Sequence, residues 1–167
     1  FIPFGRSPLV YQLDFAHSDP WSWELLTGIY TDNLQFYSYI NYLRKGRNAL
    51  IKGKYDAELL SMFAPVLQGD IEFDKATKRL RYRKWGSIDV PIGQASALAG
   101  EISGILLPLL ALPRDSLVIV EEPEAQLHYT AQILMALTLV AISKKFNHRI
   151  VLSTHSDIFA VTLAYLK

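Results

Sequence analysis

The sequence predicts an α/β fold in which parallel strands are flanked by helices. Two apolar runs carry that prediction. Residues 117–120 (Leu-Val-Ile-Val) and 150–152 (Ile-Val-Leu) contain no polar side chain, as strands covered on both faces of a parallel sheet do. A broadly apolar helical segment ending at Phe146 separates them, and a further helix begins at Asp157. Strand, helix, strand, helix in that order specifies a right-handed crossover unit.

The remaining elements follow in chain order. Residues 1–7 read as a strand end entering a turn. Asp19 and Pro20 start a helix ahead of Trp21, Trp23, Leu25 and Leu26. A second helix covers residues 33–45, with Phe36, Ile40 and Leu43 on one stripe and Arg44 and Lys45 near its C-terminal end, where cations suit the helix dipole. Residues 55–67 form a third. Residues 70–74 and 79–83 both alternate polar and apolar, so they read as a hairpin closed by residues 75–78. Alternation puts Asp70, Glu72 and Asp74 on one face and Arg79, Arg81 and Arg83 on one face of the partner strand; where the register aligns those faces, opposite charges form a salt ladder that helps fix the pairing. A basic surface for DNA or RNA, interleaved with Tyr82 and Trp85, is the weaker reading because the acids match the bases. Ser96 caps a helix running to about Ala111, residues 113–116 turn, and Asn147 stops the long helix after Lys144 and Lys145.

Composition narrows the function classes. A chain of 167 residues, half of them hydrophobic, has the length of one domain or part of a larger one and ample material for a core. A net charge of +1 gives no whole-chain argument for a polyanionic partner. The absence of cysteine removes disulfides, cysteine-bound zinc and thiol catalysis, and suits the cytoplasm, the expected compartment. The most apolar stretch, residues 95–112, is short for a bilayer span and carries Glu101 and Pro108, so no membrane partner is expected. The first residues lack the order of a signal peptide, and a Phe at position 1 reads as a processed or excised piece.

Chemistry concentrates at the ends of the two apolar strands. Residues 121–124 are Glu-Glu-Pro-Glu, and ligands of open α/β sheets bind off such C-terminal strand ends. Hard carboxylate oxygens suit Mg²⁺ beside phosphates, and a carboxylate can orient a hydrolytic water. The plain alternative is an acidic turn that stabilises a helix N-terminus. One helix later, His155 follows the second strand and stands at the same edge, where an imidazole can donate a hydrogen bond to a terminal phosphate. A zinc hydrolase using Glu124, His128 and His155 is a second enzymatic reading, although no His-Glu-x-x-His pattern accompanies it. A non-catalytic interaction module built on a degenerate form of an enzyme's fold is a third.

Residues 117–128 (Leu-Val-Ile-Val-Glu-Glu-Pro-Glu-Ala-Gln-Leu-His) resemble the Walker B strand and D-loop of ABC-type ATPases, in particular the OLD-type and RecF/SMC-like ATPases of prokaryotes. Residues 153–156 (Ser-Thr-His-Ser) resemble their switch-histidine motif, residues 95–97 stand where they carry a signature motif, and residues 2–7 resemble a further segment. The resemblance implies a partial P-loop NTPase fold. Residues 1–69 would be a strand plus helical segment, and residues 70–167 the hairpin, signature-like helix, Walker B strand and switch-histidine strand of one incomplete ATPase domain. It implies that Glu121 supports Mg²⁺, Glu122 is the general base, His155 senses the γ-phosphate and Ser96 contacts ATP held by a second copy. Residues 124–128 would line that head-to-tail dimer. The implied ligands are ATP and Mg²⁺, and the implied settings include DNA repair, phage defence and chromosome handling. There are three departures from the pattern: Glu121 replaces the commoner aspartate, Leu98 and Ala99 stand where a glycine is common, and Tyr129 stands where a proline usually follows. No Gly-x-x-x-x-Gly-Lys-Ser/Thr occurs, the nearest fragments being residues 52–54 and 5–7, so the chain by itself is expected to be inactive.

Overall fold

The computed structural model describes Ile2, Pro3, Tyr39, Asn41, Tyr42, Lys45 and residues 57–166 other than 75, 77, 78, 87 and 88. The helix expected from Asp19 lies outside the described residues, as do residues 5–7 and 52–54. Of the helix expected over residues 33–45, Tyr39, Asn41, Tyr42 and Lys45 are helical. The chain continues through α1 (Ala57–Ser61), α2 (Ala64–Leu67), β1 (Gly69–Asp74), β2 (Arg79–Lys84), β3 (Asp89–Pro91), a 3₁₀ turn (Ile92–Gln94) and α3 (Ala97–Ala111). The crossover unit follows as β4 (Leu117–Glu121), α4 (Tyr129–Phe146), β5 (Arg149–Ser153) and α5 (Asp157–Tyr165).

The single helix expected over residues 55–67 is instead two, interrupted at Met62 and Phe63. Pro65 explains the break. It has no N–H to return to Ser61, and its ring crowds the carbonyl there, so it is best tolerated in a first turn, which is where α2 places it.

The hairpin register aligns the acidic and basic faces, with Asp70 opposite Arg83, Glu72 opposite Arg81 and Asp74 opposite Arg79. A third strand, β3, joins β2 and was not legible in the alternation. It contributes Asp89, which meets Arg81 at 2.6 Å and Arg83 at 3.7 Å, while Arg83 also reaches Glu72 diagonally at 3.1 Å. Arg81 and Arg83 are therefore paired with acids rather than offered to phosphates. Gly69 is required by its surroundings: a Cβ there would lie 2.3 Å from the carbonyl oxygen of Arg83.

Helix α3 lies at the centre of the core. Its residues from Ala99 to Leu109 are buried all round, including Glu101 and Ser103. Ser96 caps it as expected, its Oγ accepting the Ala99 N–H at 3.3 Å. Pro108 sits inside the helix and cannot donate to the carbonyl of Gly104, one turn back. The Tyr39 hydroxyl donates to that carbonyl at 3.1 Å, so an acceptor freed by proline is satisfied from the N-terminal part of the chain.

Strands β4 and β5 are parallel, with Glu121 opposite Ser153 at their ends. On the other side of β4, Ile2 forms a parallel bridge, donating to Ile119 O at 2.7 Å and accepting from Glu121 N at 2.9 Å. Residues 117–120 were expected to be covered on both faces, and this needs correction. Val118 and Val120 are buried, and Ile150 and Leu152 face a groove walled by α4 and α5. Leu117, Ile119 and Val151, on the opposite face, are 67, 46 and 55% exposed. The physical reason is that one crossover lays its helices on one face, and a parallel sheet gains a second layer only from further elements. Among the described residues, no helix is long and apolar enough to cross a membrane.

Candidate active site at the paired strand ends

Because β4 and β5 run parallel in register, the segments leaving them emerge side by side. Glu121 closes β4. Its alternation puts it on the Leu117 and Ile119 face, and it is half-buried. Glu122 then adopts a left-handed backbone, φ +41°, while its N–H still donates to Ser153 O at 3.1 Å. Ala125 N returns to Glu122 O at 3.0 Å and Leu127 N to Glu124 O at 3.0 Å, winding residues 122–127 into a tight turn ahead of α4. From β5 come Ser153, Thr154, His155 and Ser156. The last caps α5 through the Phe159 N–H at 3.2 Å.

The two turns meet. His155 Nε2 lies 3.5 Å from Glu122 Oε1, an ion pair whenever the imidazole is protonated. His155 is 85% exposed and Glu122 33%, so both face solvent at the sheet edge. Below them, Glu124 turns inward and is buried. Its Oε1 accepts from Thr154 Oγ1 at 2.5 Å and from His155 N at 2.8 Å. Thr154 Oγ1 in turn accepts the Ser156 N–H at 3.1 Å. Ser156 Oγ donates to Gln132 Oε1 at 2.6 Å, and Gln132 Nε2 donates to Leu127 O at 2.8 Å. This network was not legible in the sequence, because its members lie on separate turns and no periodicity links them. The one hint was a glutamine in the apolar start of α4.

The structure thus brings Glu121, Glu122 and His155 to one edge. Ser96 is not joined to them: it is exposed, and its hydrogen bonds are the local ones that start α3. Within residues 124–128, Glu124 and Leu127 are buried, which leaves Gln126 and His128, followed by Tyr129, at the surface. The zinc reading fails on donor geometry. Glu124 is committed to Thr154 and the His155 N–H, His128 is exposed, and among the described residues no group of three or more His, Cys, Asp or Glu is arranged to hold a metal ion. Mg²⁺ makes a smaller demand, one or two carboxylates plus phosphate oxygens and water, and a half-buried carboxylate at an open sheet edge, as Glu121 offers, is of the right chemistry for it.

No curated protein matches this chain. A family model described as an AAA ATPase domain matches residues 50–160, a span that takes in the hairpin, α3, both parallel strands and the two turns just described. With two thirds of its length under that family model, the chain, a mixed α/β protein, belongs to the AAA ATPase domain family.

Proposed function

We propose that this domain is an ABC-type ATP hydrolase, similar in its motifs to OLD-type and RecF/SMC-like ATPases, in which Glu122 is the general base. One observation carries the reading: two turns from separate strands place the Glu122 carboxylate and the His155 imidazole 3.5 Å apart at the open sheet edge. A carboxylate there can take the proton of a water attacking the γ-phosphorus as the bond to the ADP oxygen breaks. His155 stands where its imidazole can donate to a γ-phosphate oxygen and hold the transferred group in line. Glu121 would hold Mg²⁺, which when bound neutralises charge on the phosphates, and Glu122 is left to act as the base. Ser96, at an exposed helix N-terminus, would reach ATP held by a second copy, with Gln126, His128 and Tyr129 at the contact. DNA repair and phage defence are the tasks this reading suggests.

Glu122→Gln tests the assignment. The amide keeps the size and the hydrogen-bonding reach of the side chain but cannot accept the proton. In the full-length protein, kcat should fall by roughly 10²–10⁴-fold while MgATP still binds. ATP should then persist and hold two copies together, so the mutant with Mg·ATP should elute as a dimer in size-exclusion chromatography. Unchanged turnover would show that Glu122 is not the base.

A further inference from the structure

We propose that Glu124 is the positioning residue of this site: its buried carboxylate pins the turn that carries His155, and so sets where His155 stands against Glu122. The proposal rests on the roles given to Glu122 and His155 above.

Burying a carboxylate is costly unless hydrogen bonds replace the lost water, and such charge-assisted bonds are correspondingly strong. Glu124 is 7% exposed, and its Oε1 receives two of them, from Thr154 Oγ1 at 2.5 Å and from the His155 N–H at 2.8 Å. Its Oε2 is buried with no hydrogen-bond partner among the described residues. The imidazole of His155 is exposed and among the described residues pairs only with Glu122, at 3.5 Å, so its location is governed by the backbone that carries it. That backbone is held by Glu124 directly and by Thr154 next to it. The hold continues from Thr154 to Ser156 N, from Ser156 Oγ to Gln132, and from Gln132 to Leu127 O, where it returns to the turn containing Glu124. None of these bonds uses the Glu122 carboxylate or the His155 ring. The network fixes the geometry of the reacting edge without taking part in it, and Glu124 is its one charged member.

Steady-state ATPase kinetics on the full-length protein test this. His155→Ala should lower kcat. If it does not, the catalytic reading falls and the positioning role falls with it. Given that drop, Glu124→Ala should lower kcat about tenfold or more with KM for MgATP changed less than about threefold, the pattern of an interaction that matters only in the transition state. Glu124→Gln retains an accepting Oε1 and should recover most of the lost kcat. The double variant Glu124→Ala/His155→Ala should be no slower than His155→Ala alone, because Glu124 acts through His155. An unaffected kcat in Glu124→Ala, additive losses in the double variant, or a Glu124→Gln as slow as Glu124→Ala would each overturn the proposal. Should Glu124→Ala fail to fold, Thr154→Val removes the same hydroxyl bond without changing shape. It should slow kcat with Thr154→Ser restoring it, and a Thr154→Val enzyme of normal kcat would overturn the proposal equally.

Discussion

Glu122 and His148 are held against their own preferences, in different ways. A glutamate in the left-handed region costs on the order of 1–3 kcal/mol and persists only where its surroundings over-determine it. Here the ladder bond to Ser153 O on one side and the turn bond from Ala125 on the other fix that backbone. Asn147, also left-handed, was legible as a helix stop because asparagine tolerates the conformation; nothing in the letter Glu announces it at position 122. His148 is 3% exposed, stacks on Phe146 with ring centroids 5.6 Å apart, and among the described residues neither ring nitrogen makes a well-formed hydrogen bond, only a weak interaction with the Leu109 backbone. Burial pushes its pKa below the ordinary 6.5, opposed by the Leu109 backbone and Asp115 and reinforced by Arg114. The unfolded chain therefore takes up this proton at higher pH than the folded one. The contribution to stability is intact above pH 6.5 and is lost as pH falls from there through the folded value. We expect wild type to lose more stability than His148→Phe between pH 7.5 and 5.5, by at most about 1.4 kcal/mol per pH unit, measured by urea denaturation. Parallel curves for the two proteins would assign the acid sensitivity elsewhere.

Elements were legible in proportion to how far local chemistry decides them. The hairpin followed from period-two alternation, its register only from the structure, and α3 began at the serine and ended at the alanine that its capping and apolar content indicated. Strand β3 escaped because three residues carry no period, and the break at Pro65 escaped because an apolar stripe ran on past it. Pro108 makes the same point inside α3. Its cost is set by whether the freed Gly104 carbonyl finds a donor, and that donor, Tyr39, is remote in sequence. Tyr39→Phe keeps the ring and removes only the hydroxyl. It should destabilise the protein by about 1–3 kcal/mol through a buried, unsatisfied carbonyl. Thermal melts of wild type and mutant decide it, and an unchanged melting temperature would mean that Gly104 is satisfied some other way.

At the scale of the whole molecule, the site is, among the described residues, an edge without a floor. The parallel strands, the two turns and the carboxylates follow from sequence order, because a crossover unit delivers both strand ends to one side. Phosphoryl transfer depends mostly on positioning and charge compensation, through a backbone nest around the β-phosphate and a lysine beside it. No Gly-x-x-x-x-Gly-Lys-Ser/Thr occurs in these 167 residues, and Arg81 and Arg83 are already engaged by Glu72 and Asp89. On the proposed reading, Glu122 and His155 can act only on a nucleotide gripped by a segment bearing that loop. Residues 1–167 expressed by themselves should therefore bind MgATP more weakly than about 1 mM, equivalent to little over 4 kcal/mol, and release no phosphate above background. Calorimetry and a phosphate-release assay measure the two quantities. Weak binding would locate the grip outside these residues, while the open face carrying Leu117, Ile119 and Val151 leaves the sheet able to accept a further layer. Turnover by residues 1–167 that Glu122→Gln abolishes would keep the base and refute the need for the loop. Turnover that survives Glu122→Gln would refute both.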